Sequence, residues 1–162
     1  MVAVVHQLHR KPETAGEHGL PKPTVPEFDV TEKGVVGDFN RYRHEEKADD
    51  LTSAVLVMPL ETLETLRQEG WPVQPGDLGE NITTQGIPYS ELEPGLRLDA
   101  GTASLEVTRP CDPCTNLYLL PYVGDRLGPK FLKVMLGRRG WYCRVLRAGT
   151  IRTGDSIKVR SA

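Results

Sequence analysis

Residues 103–120 read ASLEVTRPCDPCTNLYLL. Ala103 to Val107 is an apolar, strand-like run that leads into a turn. The chain then bends at Pro110, Asp112 and Pro113, which gathers Cys111 and Cys114 into one stiff turn. Upstream, Leu96 to Asp99 reads as a second short strand. Ala100-Gly101-Thr102 joins the two runs as a hairpin. With 16 glycines and 13 prolines among 162 residues, the chain is built for many short strands and tight turns. The reading is a mainly β fold with a few short peripheral helices.

Toward the C-terminus, Pro129 to Leu136 predicts a short helix, with Pro129 at its first position and Gly137 just past its end. Trp141 to Arg147 is a strand, residues 148–155 hold turns, and Ser156 to Arg160 is a last strand. Toward the N-terminus, Ala54 to Met58 is a continuous apolar strand buried on both faces. Pro59 then opens a helix whose stripe is Leu60, Leu63 and Leu66, with Gly70 as its cap. Arg41 to Asp50, RYRHEEKADD, reads as a solvated charged loop in which Arg41, Arg43 and His44 are free to face an anion. Gly34-Val35-Val36-Gly37-Asp38 is a strand end and sharp turn. Residues 9–26 contain Pro12, Pro21, Pro23 and Pro26, which forbid a helix. A loop of that length in a small domain is commonly a binding element. Lys22 within it reads as a solvated surface lysine from the burial habits of its type. Val2 to Leu8 is the first strand. No repeat or linker divides the chain, so residues 1–162 read as one domain.

Residues 75–87, PGDLGENITTQGI, form the second informative stretch. Its three glycines let a ligand approach the backbone closely. Asn81 and Thr83 share a face if Asn81 to Thr84 is extended. A turn in which Glu80 and Asn81 tie down their own amides is equally consistent with these residues.

A net charge of −2 and a pI near 6.1 give no reason to expect nucleic-acid binding or steering to an anionic membrane. The apolar run before His6 is too short for a secretory signal or a membrane span. An odd number of cysteines then suggests a reducing, cytoplasmic setting. There is no phosphate-binding G-x-x-x-x-G-K-[ST] loop, no hydrolase triad order and no paired-carboxylate pattern.

Chemistry therefore concentrates on the cysteine turn. A thiolate is the nucleophilic and metal-binding form of cysteine, and a nearby cation such as Arg109 favours it. Cys111-Asp112-Pro113-Cys114 has the spacing of redox pairs and of half a zinc site. Zinc lacks a second C-x-x-C, and His6, His9, His18 and His44 all lie far upstream. Two small buried thiols remain the packing alternative, and Cys143, inside an apolar strand, reads as core.

Five elements occur in order: Gly19-Leu20-Pro21-Lys22, Gly34-x-x-Gly37-Asp38, Gly76-x-Leu78-Gly79-Glu80-Asn81-Ile82-Thr83, Arg109-Pro110-x-x-Pro113-Cys114 and Gly140-Trp141-Tyr142-x-Arg144-Val145-Leu146. Together they resemble the MOSC domain, named for the C-terminal domain of molybdenum cofactor sulfurase, in a small stand-alone form. The resemblance implies a closed β-barrel with peripheral helices. It implies a molybdopterin cofactor with Cys114 as the thiolate on molybdenum, reduction of N-hydroxylated compounds, and a separate electron donor. It also allows a sulfur-handling protein, with Cys114 carrying a persulfide or acting as a nucleophile and a cysteine desulfurase as partner. Cys114, Cys111 and Arg109 are the implied reactive group. Lys22, Asp38, Arg43, Glu80, Asn81, Thr83 and Asn116 are the implied cofactor contacts, with a small molecule as substrate. Cys111 is not a usual family feature, and three roles are open to it: a disulfide with Cys114, a resolving thiol, or packing. Arg41 to Lys47 stands where the family often carries His-Gly-Gly and a basic residue.

Overall fold

A computed structural model describes residues 2–162. Among the described residues, eleven strands fall in two sheets. They are β1 (Val4–His9), β2 (Thr24–Val25), β3 (Glu27–Thr31), β4 (Gly34–Val35), β5 (Val55–Pro59), β6 (Ile82–Gln85), β7 (Arg97–Ala100), β8 (Ala103–Pro110), β9 (Trp141–Arg147), β10 (Gly149–Arg152) and β11 (Ile157–Arg160). The larger sheet runs β11-β7-β8-β9-β5-β6-β1-β2, and the smaller runs β10-β3-β4. Among the described residues the α-helices are α1 (Arg41–Lys47), α2 (Leu60–Gln68) and α3 (Gly124–Met135). Among the described residues, no helix is long and apolar enough to cross a membrane.

The expected closed barrel is not formed. The edge of β1 facing away from β6 is divided between two partners. Leu8 and His9 pair with β2, while Val4 makes a single bridge to Ser156. Ile157 N donates to Ala3 O at 2.7 Å and Val5 N to Asp155 O at 2.8 Å. All four residues of β11 pair with β7, and the other edge of β11 has no ladder partner among the described residues. The two ends of the sheet therefore meet at a point, and no ladder joins them.

Strand β5 organises the interior because every residue in it is buried. It lies between β9, antiparallel, and β6, parallel. Its alternation sends Val55 and Val57 into one core with Val5, Leu105, Val107 and Cys143. Met58 points the other way, into a second core with Leu63, Leu66, Leu78 and Phe131, and Leu56 packs with Cys111 and Tyr142. Helix α2 forms as its leucine spacing predicts, burying Leu60, Leu63 and Leu66.

Three local expectations are corrected. The charged run from Arg41 is helical through Lys47, because Asn40 Oδ1 caps Arg43 N at 3.0 Å and Arg41 pairs with Glu45 one turn on at 3.2 Å. Pro129 lies inside α3, which begins five residues earlier, at Gly124. Gly128 packs so tightly that a Cβ there would lie 2.3 Å from the Tyr118 ring. Residues 149–152 form β10 rather than a turn, since the whole segment pairs with β3 and buries Ile151.

Candidate functional site

The cysteine turn is held from both sides. Cys111 N donates to Gly140 O at 2.8 Å, tying the bend to the start of β9. Tyr89 Oη receives Gly140 N at 3.1 Å and fixes the same point. Cys114 has extended backbone and opens the short 3-10 helix Thr115–Leu119, with Leu117 N bonded to Cys114 O at 3.1 Å. All three cysteines are free thiols. Cys111 and Cys143 are buried, and Cys114 is half-buried. Burial pushes the Cys143 thiol well above its ordinary range, as its place in the core dictates.

Cys111 and Cys114 open onto one cavity of about 230 Å³. Leu56, Cys111 and Tyr142 make an apolar patch of its wall. Leu78 and Gly79 bring in the glycine-rich loop, and Glu17 to Leu20 with Lys22 bring in the long N-terminal loop. Asn116, Arg41 and Arg139 also line it. Cys111 Sγ donates to Tyr142 Oη at 3.4 Å. Burial, then the neighbouring Cys111, holds the Tyr142 hydroxyl far above its ordinary range, so it stays protonated.

Of the expected site residues, Cys114, Cys111, Lys22 and Asn116 line this cavity. Lys22 is not solvated: its side chain is 4% exposed and its Nζ lies 2.7 Å from Asp38 Oδ2. Asp38 sits behind it as a clasp, also accepting Lys11 N at 2.8 Å and Asn81 Nδ2 at 2.9 Å. The Asn81 amide is fully engaged. Its second Nδ2 hydrogen goes to His9 O at 3.3 Å, and its Oδ1 receives Leu56 N at 3.1 Å. Glu80 points beneath the loop, where Oε1 receives Gly76 N at 2.6 Å and the Thr83 hydroxyl at 3.1 Å. Burial raises its carboxyl above the ordinary range. Thr83 reaches His9 Nε2 at 3.1 Å. These four residues support the loop and do not line the cavity.

Arg109 and Arg43 are also turned away from it. Arg109 Nη1 donates to Asp50 at 3.0 Å and Thr52 at 2.9 Å. Asp50 is held down to about 2, first by its hydrogen bonds from Thr52 and then by Arg109. Arg43 spreads over three carbonyls, those of Asp50, Lys33 and Asp49. Both arginines fold loops that their own positions in the sequence do not reveal.

Phe39, Asn40, Leu119 and Arg139 line the cavity and drew no attention in the sequence; Arg139 is the charged one. Arg138 and Arg139 look equivalent in sequence, yet Arg138 pairs with Glu69 at 2.6 Å on the surface while Arg139 is 5% exposed. Only the change from loop to strand at Gly140 hinted that neighbouring residues here face different ways.

Comparison with known proteins decides the family. The MOSC domain model matches residues 29–158. The chain belongs to the MOSC domain family. The crystal structure of YuaD from Bacillus subtilis superposes on this MOSC domain with a TM-score of 0.81 at 23% identity, covering 100% of this chain and 97% of that one. YiiM from Geobacillus stearothermophilus gives 0.72 at 24% identity, over 98% of this chain and 75% of its own. YiiM from Escherichia coli gives 0.67 at 23%, over 98% and 70%. At these identities the likeness is one of fold. No curated protein matches the MOSC chain. Among the described residues no group of three or more His, Cys, Asp or Glu side chains is placed to hold a metal ion.

Proposed function

We propose that this MOSC protein binds a molybdenum cofactor through Cys114 and reduces N-hydroxylated compounds. The observation that carries the reading is the position of Cys114. It is the one cysteine of the three that is not buried, and it faces a cavity shared with the Gly79 loop and buried Lys22. The donor set suits such a group. A single thiolate is a soft ligand, appropriate to a metal that arrives already chelated by its organic part. Gly79, at φ +81, lines the cavity with Leu20 Cδ2 only 2.8 Å from where a Cβ would stand, so the close approach suits glycine. Lys22 offers charge, and Asn116 a polar side chain beside the thiolate. When bound, the cofactor supplies the two-electron chemistry of N–O reduction. The protein's part is to ligate, to orient, and to keep the Tyr142 and Cys111 protons beside the reacting centre. Electrons would come from a separate donor protein.

The test is molybdenum and pterin content of protein made in a host that synthesises the cofactor. Near-stoichiometric metal that Cys114→Ser abolishes is the expected result. Absence of both molybdenum and pterin from the wild type overturns the reading.

A second reading is favoured by Cys111, a buried thiol that lines the same cavity although the metal needs only one. In it Cys114 carries a persulfide received from a cysteine desulfurase and Cys111 resolves it. Intact mass after incubation with desulfurase and cysteine would then show one added sulfur in the wild type and none in Cys114→Ser.

A further inference from the structure

The outer face of the large sheet is a grid of cations. On β7, β8 and β9 the outward residues alternate with the core residues Leu98, Leu105 and Cys143. Register places Arg160, Arg97, Glu106 and Arg144 in one row across β11, β7, β8 and β9. Lys158, Asp99, Ser104 and Arg147 form the next row. Five cations thus share this face with two carboxylates, although the chain as a whole has a formal net charge of −2. Sequence alone does not show the grid, because its members come from four strands spread over 64 positions, from Arg97 to Arg160.

Sheet stability does not account for the excess. Asp99 pairs with Arg160 at 2.7 Å, and Glu106 is divided between Arg144 at 3.2 Å and Arg97 at 3.8 Å. These carboxylate side chains are 16% and 22% exposed, against 46% to 56% for the three arginines above them. Neither Arg147 nor Lys158 is in an ion pair among the described residues. Arg160 stands directly across from Arg97, and like charges so placed destabilise a strand pair. The grid also lies close to the cysteine cavity. Tyr142, a wall of that cavity, precedes Arg144 by two residues on the same face of β9, about 7 Å along the strand. Leu146, between Arg144 and Arg147, adds exposed apolar surface.

We infer that this face docks the acidic surface of a second protein, the one that supplies the cavity. Four of the five cations are arginines, whose planar fork takes a carboxylate through two hydrogen bonds at once. A phosphate chain fits less well. Asp99 and Glu106 interrupt both rows, no aromatic side chain in them offers a stacking surface to bases, and a chain of net negative charge is not steered to a polyanion. Spaced Asp and Glu side chains on a folded partner reach the cations and bypass the two carboxylates. Both readings of Cys114 call for a protein partner, an electron donor in one and a cysteine desulfurase in the other. The inference rests on that shared need and on neither chemistry.

Binding of a fluorescein-labelled polyglutamate peptide to the full chain, followed by anisotropy at low ionic strength, tests the surface. Arg97→Gln combined with Arg144→Gln should weaken binding about tenfold, the effect of two partly screened charges. Arg126→Gln combined with Lys130→Gln removes as much charge from the exposed side of α3 and should change it by less than about twofold. Amide NMR shifts in the wild type should gather on β7, β8, β9 and β11. If the first variant does not fold, those shifts alone decide. Equal weakening by the two variants, or shifts scattered over the molecule, overturns the inference. A DNA duplex or phosphatidylserine-containing vesicles that bind the wild type more tightly than the peptide overturn it too, and assign the face to nucleic acid or membrane. A dimer in sedimentation that Arg97→Gln with Arg144→Gln dissolves assigns the face to a second copy and equally overturns it. The assay reads binding and neither metal nor sulfur content, so its failure is separate from the failure of either reading of Cys114.

Discussion

Replacing Lys22 by Met should destabilise the protein by about 3 kcal/mol, the lower end of the range for breaking one side of a buried ion pair. The structure sets the figure. The two side chains are 4% and 8% exposed, and Nζ lies 2.7 Å from Oδ2, so solvent screens little of the interaction. Once Lys22 is gone, Asp38 still accepts Lys11 N at 2.8 Å and Asn81 Nδ2 at 2.9 Å, and those bonds keep the loss from reaching the upper end. A methionine refills most of the volume, so no large cavity is added. Urea unfolding should show a lower midpoint with an unchanged slope. At this chain length the melting temperature should drop by roughly 6–12 °C. Asp38→Asn in the same background removes the stranded charge, and the double-mutant cycle should return a coupling of at least about 1 kcal/mol. A Lys22→Met loss below about 1 kcal/mol would refute the claim that this pair clasps the N-terminal loop to the body.

Gly76→Ala should cost at least about 2 kcal/mol, from its left-handed backbone together with backbone collision. The residue sits at φ +91, and a Cβ would lie 2.5 Å from Lys22 O. Gly70→Ala, at φ +99 with nothing within 4 Å of the new Cβ, should lose only the backbone part, and equal losses would sink the packing argument. With iodoacetamide, Cys114 should react first, Cys111 slowly and Cys143 only on unfolding, following their exposure. Arg109→Met should leave the Cys114 rate within about twofold, because that arginine is spent on Asp50 and Thr52. A large fall would place it at the site after all. His9 is held at about 4, by burial first and then by the charges of Lys22 and His6. The unfolded chain takes up that proton below about 6.5 and the native one only near 4, so stability is complete above the first value and declines toward the second. The loss over the whole window is roughly 3 kcal/mol. His9→Gln should flatten urea stability across that window, and an identical slope in the variant would count against the assignment.

Consecutive residues alone were enough to specify the β7–β8 hairpin, the doubly buried β5, the leucine stripe of α2, strand β9 and the cysteine turn. In each, period, turn residues or proline act over a few positions, so the information is local. The family was legible for the same reason, because its motifs are short and occur in order. Charge pairing was not legible. Lys22 finds Asp38 across 16 positions, Arg109 finds Asp50 across 59, and Arg139 finds Leu78 across 61. Composition made Lys22 look like a surface lysine and Arg109 like a cation beside the thiol, and it drew no attention to Arg139. Whether such a group is buried depends on what the folded chain brings against it, and only the tertiary structure separates Arg138 from Arg139. The open sheet has the same origin. Each strand's tendency to extend is local, but closure requires β1 and β11 to pair along their length, whereas β1 gives Leu8 and His9 to β2 and meets the start of β11 only around the Val4–Ser156 bridge.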